Sequence, residues 1–369
     1  MTARRRRSAL TAALSAAACL LATAPAAAAP PLTTQATTQA TTPTTTGVTQ
    51  IAGGLEIPWG ADFLPDGSLL VGERNSGRIL RLHRGQVTEV YRIALPPRLM
   101  DPADPFTLDE GGLLGIAVSP GFLFDQTVFI YHSTATDHRV VRVRLGGTPV
   151  PILTGITRTH RHAGGRIAFG PDRMLYVSVG DGGDPASAQD PADLNGKILR
   201  MTPDGRPAPG NPFRGSVVWT MGHRNIQGFD WDDAGRMYAS ELGDKGPGDE
   251  LNRIQPGGNY GWPLCAGACG DPAFVAPLVT WDNLEASPAG VAIREGTIYI
   301  GALRGERMWT VPLRADGSVG EPTAIFHLTY GRIRTVLRAP DGSLWFTTSN
   351  RDNPWSVPAP DDDRVLRLG

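Results

Sequence analysis

The sequence predicts an all-β fold, a six-bladed β-propeller of four-stranded antiparallel blades. Two observations lead to this prediction. Glycine and proline are abundant, with 45 and 32 of the 369 residues, and no long amphipathic helix pattern occurs between them. One unit also recurs along the chain: an apolar stretch, a polar turn and a second apolar stretch, which is the pattern of a β-hairpin. Repetition of this kind is typical of propellers, where each blade buries its faces against its neighbours.

Six segments carry the repeat, among them ADFLPDGSLLVGERN at 61–75 and LRAPDGSLWFTTSN at 337–350. Asp-Gly turns between short alternating strands favour hairpins. The six turns fall at Gly67, Gln126, Arg173, Gly235, Gly296 and Gly342. Four similar stretches at 77–82, 197–201, 307–313 and 364–368 are expected to be outer strands. Since two of these lie near opposite ends of the domain, we expect a terminal strand to close the ring, which removes exposed sheet edges.

The chain is expected to have three parts. Residues 1–29 have four arginines, an Ala- and Leu-rich stretch and small residues near the end, which is the pattern of a secretory signal peptide. Residues 30–47 are almost entirely Thr, Gln, Ala and Pro and predict a disordered linker. Residues 48–369 form the propeller domain. We therefore expect a secreted or cell-envelope protein without a transmembrane segment.

Charge and cysteine content narrow the function further. The formal net charge is −1, and loss of the four signal-peptide arginines leaves about −5. No basic block survives export, so nucleic acid and anionic membranes are excluded as partners. Cys265 and Cys269 remain, and an exported setting favours a disulfide between them over a zinc site, which needs more ligands nearby.

The hairpin turns also predict where the polar side chains lie. Strand residues advance about 3.3 Å each, so positions roughly ten before and eight after each turn meet at one mouth of the central channel. Those positions include Glu110, His162, Arg224, Asn225, Ser287, Arg332 and Arg334 before the turns, and Arg74, Asp181, Gly243, Arg304 and Asn350 after them. Several arginines in one cleft indicate an anionic ligand, because unpaired like charges are costly there.

At these residues the sequence resembles the soluble PQQ-dependent aldose sugar dehydrogenases, a glucose/sorbosone dehydrogenase-like family of six-bladed propellers. The matching pieces are EGGLLGIAVSP, HAGGRIAFGPDRMLYVSVGD, GHRNIQGFDWD, DELNRIQPGGNYGWP, SPAGVAI and GRIRTV, in this order between residues 51 and 368. The resemblance implies an oxidoreductase that oxidises the anomeric carbon of aldoses with PQQ and calcium. It would pass the electrons to a soluble acceptor, as a monomer or homodimer.

The resemblance also implies roles for individual residues. His162 matches the general base, which takes the proton of the anomeric hydroxyl. Arg224 and Asn225 match residues at the quinone edge, where an arginine stabilises charge developing on oxygen. The remaining matches to cofactor-binding positions are Glu110, Arg304, Arg332 and Arg334, and guanidinium–carboxylate pairing is the physical reason for arginine at the last two.

Calcium has two implied places. One is catalytic and uses backbone carbonyls of the loop after Glu241, which either Gly243-Asp244 or Gly246-Pro247 could supply. The second is structural and uses the carboxylate of Glu250 and the backbone carbonyl of Tyr260.

Some positions differ from the family pattern. Glu110 stands where many members have Gln, Arg161 stands where one branch has Asp, and the calcium loop is one residue longer. A non-catalytic propeller that binds glycans or a protein, and a calcium-dependent sugar lactonase, therefore remain alternatives. Outside the matched positions, Asp181 is interpreted as a calcium or loop-stabilising acid, and residues 361–363 as a solvated acidic turn.

Overall fold

The computed structural model describes residues 47–99, 109–246, 248–353 and 357–369. The predicted signal peptide and nearly all of the predicted linker lie outside these ranges. Within them the chain forms six four-stranded antiparallel sheets, which are the blades of a propeller. The fold class is therefore confirmed. No helix of the described ranges has the length and apolar character that a membrane crossing requires.

The first strand, β1 (Val48–Ala52), belongs to the last blade. Blade 1 follows with β2 (Pro58–Phe63), β3 (Leu69–Glu73), β4 (Arg78–His83) and β5 (Gln86–Arg92). Blade 2 contains β6 (Leu113–Val118), the short helix α1 (Phe122–Asp125), β7 (Thr127–Ser133), β8 (Asp137–Arg144) and β9 (Val150–Thr157). Blade 3 contains β10 (Ile167–Phe169), β11 (Leu175–Val179), a 3₁₀ helix (Pro185–Gln189), β12 (Lys197–Met201) and β13 (Val218–Met221).

Blade 4 contains β14 (Ile226–Trp231), β15 (Met237–Glu241), β16 (Asp249–Ile254) and β17 (Val279–Trp281). Blade 5 contains β18 (Pro288–Arg294), β19 (Thr297–Ala302), β20 (Arg307–Pro312) and β21 (Thr323–Ile325). Blade 6 contains β22 (Ile333–Arg338), β23 (Leu344–Thr348), a 3₁₀ helix (Asn350–Asp352) and β24 (Val365–Leu368). Its fourth strand is β1, so blade 6 has the order β22-β23-β24-β1.

The six predicted turns all lie between the first and second strands of their blades, as expected. Each turn residue has a positive φ, from 51° at Gln126 to 83° at Gly342. The four stretches expected to be outer strands are the third strands β4, β12, β20 and β24, each covered by a fourth strand. The prediction that the four stretches are equivalent strands is therefore confirmed, but each is the third strand of its blade rather than the outermost one.

Ring closure joins the two ends of the domain. Strand β1 pairs with β24, with Val48 opposite Leu368. Two of the three residues of the predicted solvated turn at 361–363 are buried, since Asp362 and Asp363 are only 4% and 0% exposed. The carboxyl of Asp363 accepts backbone N–H groups of Ile57 at 3.2 Å and Arg351 at 3.1 Å. The interpretation of a solvated turn is right for Asp361, which is exposed, and wrong for Asp362 and Asp363, because these two accept hydrogen bonds inside the domain.

The first strands of neighbouring blades pack against one another around the channel. Their approach leaves no room for side chains at some positions: a Cβ on Gly60 would lie 2.1 Å from the carbonyl oxygen of Leu114, and one on Gly228 would lie 1.9 Å from that of Ala289. Buried carboxyls also join blades, since Asp62 accepts the N–H of Val118 at 2.7 Å. The tight ring brings the starts of the first strands together at one end of the channel.

Candidate functional site

A cavity of about 570 Å³ opens at this end of the channel. Every blade contributes to its wall. The contributors include Trp59 and Arg74 from blade 1, Glu110 from blade 2, Gly164 from blade 3, Gln227 and Leu242 from blade 4, Ser287 and Arg304 from blade 5, and Arg332, Arg334 and Asp352 from blade 6. The residues counted from the hairpin turns converge on the cavity in part. Six of them line it, namely Arg74, Glu110, Ser287, Arg304, Arg332 and Arg334, whereas His162, Asp181, Arg224, Asn225, Gly243 and Asn350 do not.

His162 directly precedes the wall residues Ala163 and Gly164 in the chain, although it does not itself line the cavity. Its Nδ1 lies 2.6 Å from Oδ1 of Asp181, and its ring is 14% exposed. Because a carboxylate only accepts hydrogen bonds, Nδ1 carries the proton and Nε2 is left as the basic nitrogen. Asp181 is fully buried in this pair, with 0% side-chain exposure.

Asp181 is held by further donors. The backbone N–H of Gly183 donates to Oδ1 at 2.7 Å, and the indole N–H of Trp262 donates to Oδ2 at 2.8 Å. Burial raises the pKa of Asp181, but the hydrogen bonds and charge of His162 outweigh it and lower the pKa below its ordinary value. Asp181 is thus an ionised partner of His162 as well as the expected loop-stabilising acid. Its place after the turn of the same hairpin was the one sequence signal for this contact.

Glu110 fixes the backbone of the His162 turn. Its Oε2 accepts the N–H of His162 at 2.8 Å and lies 3.5 Å from Nδ2 of Asn225. Asn225 in turn accepts the N–H of Gly164 through Oδ1 at 3.1 Å. His162 itself has a φ of 54°, which a non-glycine residue adopts only when its surroundings hold it there. Glu110 and Asn225 therefore position the histidine next to residues of the cavity wall.

Arg224 lies between the histidine pair and the calcium loop. Its NH1 donates to the carbonyl of Leu242 at 3.1 Å, and its NH2 lies 3.8 Å from a carboxylate oxygen of Asp244. The guanidinium stands over the ring of Trp262, 5.5 Å from its centre. Its Nε is buried and has no hydrogen-bond partner within the described residues. Trp262 consequently touches both Asp181 and Arg224.

Three arginines gather around Asp352. Arg74 makes two hydrogen bonds to it, at 3.1 and 2.6 Å, and Arg334 makes a short one. Arg332 lies 3.9 Å from the same carboxylate. Burial raises the pKa of Asp352, but the charges of the three arginines dominate and lower the pKa to about 2.

Arg332 and Arg334, the two arginines of the GRIR segment predicted to bind the cofactor, differ in how far their N–H groups already have partners. Every side-chain nitrogen of Arg334 already donates a hydrogen bond, since Nε donates to Ser349 at 2.8 Å and NH1 to Gln227 at 3.0 Å. Arg332 has a buried Nε without a partner within the described residues. Arg304, on the neighbouring blade 5, is exposed and lines the cavity. Two arginines of the wall can therefore receive an anion without breaking a close ion pair.

The calcium loop uses some of its carbonyls internally. The carbonyl of Asp244 accepts Nδ2 of Asn283 at 2.9 Å, and that of Gly246 accepts the backbone N–H of Asn283 at 3.3 Å. The N–H of Gly243 donates to Asp249 at 2.8 Å. A cation at this loop would share these carbonyls with Asn283 or use other carbonyls. Pro247 lies outside the described residues.

The expected structural calcium site contains a buried carboxyl pair. Asn252 donates to Glu250 at 2.9 Å and to Glu241 at 3.5 Å, and the N–H of Gly267 donates to Glu250 at 2.8 Å. Burial and the neighbouring Glu241 raise the pKa of Glu250 to about 7. Tyr260 lies alongside, its ring stacked on that of His223 at 4.5 Å. No cluster of three or more His, Cys, Asp or Glu metal ligands occurs in the described ranges, so a cation here would depend on backbone carbonyls and water.

The disulfide predicted between Cys265 and Cys269 is present, with Cα atoms 5.8 Å apart. It closes the small loop that contains Gly267. Because Gly267 donates to Glu250, the disulfide loop covers one side of the carboxyl pair.

Comparison with known proteins identifies the family. Residues 55–356 match the Glucose / Sorbosone dehydrogenase family. The chain belongs to this family. The resemblance inferred from the motifs is thereby confirmed.

Solved and curated relatives agree with this assignment. The PQQ-bound form of aldose sugar dehydrogenase from Streptomyces coelicolor is 45% identical, superimposes with a TM-score of 0.80 and covers 87% of this chain and 97% of its own. The aldose sugar dehydrogenase of Escherichia coli is 28% identical, over 80% of this chain and 87% of the relative. Quinoprotein glucose dehydrogenase B of Acinetobacter calcoaceticus is 32% identical, over 58% of this chain and 51% of the relative.

Proposed function

We propose that this protein is an exported quinoprotein dehydrogenase that oxidises the anomeric carbon of aldose sugars with PQQ and calcium. The observation that carries the proposal is the His162–Asp181 pair beside an arginine-lined cavity. A base oriented by a carboxylate suits removal of a hydroxyl proton. An arginine-lined wall suits a polycarboxylate cofactor.

The residues fit such a cofactor. The cavity volume of about 570 Å³ lies within the range of small-molecule sites. The buried Nε atoms of Arg224 and Arg332 have no partner within the described residues, and buried donors normally find one. Ligand carboxylates or carbonyls can supply those acceptors, so Arg332 and Arg304 would hold carboxylates and Arg224 would face the quinone.

His162 performs the proton transfer in this proposal. When bound, PQQ supplies the two-electron acceptor of the oxidation. With Nδ1–H donated to Asp181, the Nε2 atom of His162 can accept the proton of the anomeric hydroxyl. The carboxylate of Asp181 stabilises the imidazolium that forms. Arg224 places positive charge where negative charge develops on oxygen.

Calcium is proposed for the two places expected from the family. Near Glu250, the raised pKa of about 7 reflects two carboxyls buried together, and a divalent cation relieves that repulsion as a proton does. At the loop after Glu241, backbone carbonyls remain the expected ligands. There calcium would act as a Lewis acid.

Export and partners are also part of the proposal. The arginine-led, Ala-rich start of the chain supports removal of residues 1–29 and placement outside the cytoplasm. The reaction needs an electron acceptor, for which we propose a soluble partner.

Purified protein reconstituted with PQQ and calcium tests the function directly. We expect reduction of an electron-accepting dye with at least one of a panel of aldoses, and its loss in His162→Ala. Tight PQQ binding without turnover of any aldose would contradict the enzymatic function and favour a binding propeller. Absence of PQQ binding would contradict the cofactor.

A further inference from the structure

Among the described residues, Asp352 is the one carboxylate within 4 Å of the arginine cluster, while Glu110 and Glu306 also line the cavity. Asp352 serves Arg74, Arg334 and Arg332, at distances that reach 3.9 Å for Arg332. Asp352 is 8% exposed, and Arg334 is 2% exposed. The carboxylate and its arginines are thus shielded from water, where charge–charge energies are larger than at a surface.

A fourth guanidinium adds to the positive charge. Arg166 is buried, donates to the carbonyl of Gln227 at 2.8 Å and to Oγ1 of Thr335 at 3.0 Å, and stands 4.5 Å from the ring centre of Trp59. It makes no ion pair within the described residues. Burial, together with the charge of Arg334, lowers the pKa of Arg166 to about 9. The described residues thus give the four guanidiniums one carboxylate in direct contact, Asp352, with Glu110 and Glu306 farther away on the cavity wall, so close ion pairing is incomplete.

We propose that Asp352 is a built-in counter-carboxylate, which competes with the carboxylates of the bound ligand for Arg332 and Arg334 and so limits ligand affinity. The proposal deepens the proposed function and rests on it, because the ligand class is a polycarboxylate. Asp352 accepts hydrogen bonds from arginine N–H groups that a ligand carboxylate could otherwise use. At the same time it stabilises the cluster when no ligand is bound.

This dual role predicts opposite changes in stability and ligand affinity, whereas a purely structural role predicts that both fall together. A residue that only holds arginines in place should, when changed, lower both stability and affinity. Replacement of a competing carboxylate should lower stability but raise ligand affinity, since the arginines then lack a counter-charge until the ligand arrives. The opposite signs make the proposal testable without enzyme turnover.

The test compares Asp352→Asn with the wild type in the full domain. The probes are PQQ and benzene-1,3,5-tricarboxylate, a rigid tricarboxylate without redox chemistry, both titrated by calorimetry. We expect the melting temperature without ligand to fall and the affinity for each probe to rise about tenfold, or about 1.4 kcal/mol. Asp172→Asn is the control: Asp172 pairs with Arg200 at 2.8 Å outside the cavity, and its loss should leave affinity unchanged.

Chemical rescue provides a second measurement if Asp352→Asn does not fold. In Asp352→Ala, formate can take the vacated position. It should restore the melting temperature and bring tricarboxylate affinity back toward that of the wild type. Weaker binding by both variants, or a formate effect no larger than in wild type, would overturn the proposal.

The outcomes also distinguish this inference from the proposed function. Wild-type protein that binds the tricarboxylate but not PQQ would contradict the cofactor, while tighter tricarboxylate binding by Asp352→Asn would still support the inference. Binding of neither probe by any variant would overturn both.

Discussion

Asp181→Asn is the substitution that separates orientation of the base from its presence. Three donors point at the Asp181 carboxylate: Nδ1–H of His162 and the N–H of Gly183 at Oδ1, and the indole of Trp262 at Oδ2. An asparagine has only one acceptor oxygen. If that oxygen faces His162, the amide NH₂ meets the indole N–H. If it faces Trp262, the NH₂ meets Nδ1 and forces the proton onto Nε2, where it blocks proton acceptance.

The expected cost follows from these contacts. A hydrogen bond to a charged group is worth about 1.5–3 kcal/mol, which corresponds to roughly 10- to 150-fold in rate. Loss of the correct tautomer removes much of a general-base contribution of about 10²–10⁴. We therefore expect kcat/KM to fall about 100- to 1000-fold, while PQQ binding stays within about threefold.

Steady-state dye reduction measures the rate, and ¹⁵N shifts of labelled histidine report which ring nitrogen of His162 carries the proton. Asp184→Asn is the matched control, because Asp184 lies in the same loop, caps the N–H of Ala186 at 3.1 Å and is exposed. The reasoning would be refuted if Asp181→Asn kept kcat/KM within threefold of the wild type while the control behaved alike.

Three further predictions concern binding, calcium and pH. Arg332→Met should weaken PQQ binding about 10- to 100-fold by calorimetry, because a charge-assisted hydrogen bond is lost. The control is Arg338→Met, at the end of strand β22 away from the cavity, which should change PQQ affinity less than twofold. Calcium should raise the melting temperature of Glu250→Gln less than that of the wild type, because only the loop site after Glu241 remains. Burial raises the pKa of Asp62 and of Asp230 to about 6. Their stabilising contribution is therefore complete below about pH 4 and is lost as the pH rises through 6. In urea unfolding, the variant with both Asp62→Asn and Asp230→Asn should lose less stability over this pH range.

Each of these has a result that contradicts it. Equal PQQ affinities of the two arginine variants would remove Arg332 from the binding wall. A full calcium effect in Glu250→Gln would place the cation elsewhere. An unchanged pH slope between pH 4 and 7 in the double Asn variant would mean that other acids dominate it.

Local features made much of the fold predictable. Each hairpin depends on a turn and two adjacent stretches, so Gly67 and Gly342 could be assigned from neighbouring residues alone. Ring closure depends instead on the pairing of Val48 with Leu368, and no local pattern distinguishes that pairing from the alternatives. The burial of Asp363 escaped prediction for the same reason, because its donor Ile57 belongs to the other end of the domain.

The position of the site could be predicted from the sequence, whereas most of its side-chain contacts could not. Counting from turns brought the blades to one mouth, but which side chains meet there depends on loop conformation. The hydrogen bond from His162 to Asp181 forms at a histidine with a positive φ. The hydrogen bonds of Asn283 to loop carbonyls join the loop between β15 and β16 to the segment between β17 and β18. Asp352 carried no sequence signal, since its importance comes from three arginines of blades 1 and 6.

A crystal structure of the protein with PQQ and calcium tests the central claim most directly. The account predicts the cofactor in the six-blade cavity, with a carboxylate against Arg332, the quinone edge beside Arg224 and the reacting face toward Nε2 of His162. An empty cavity, or PQQ bound with His162 facing away from it, would contradict the account.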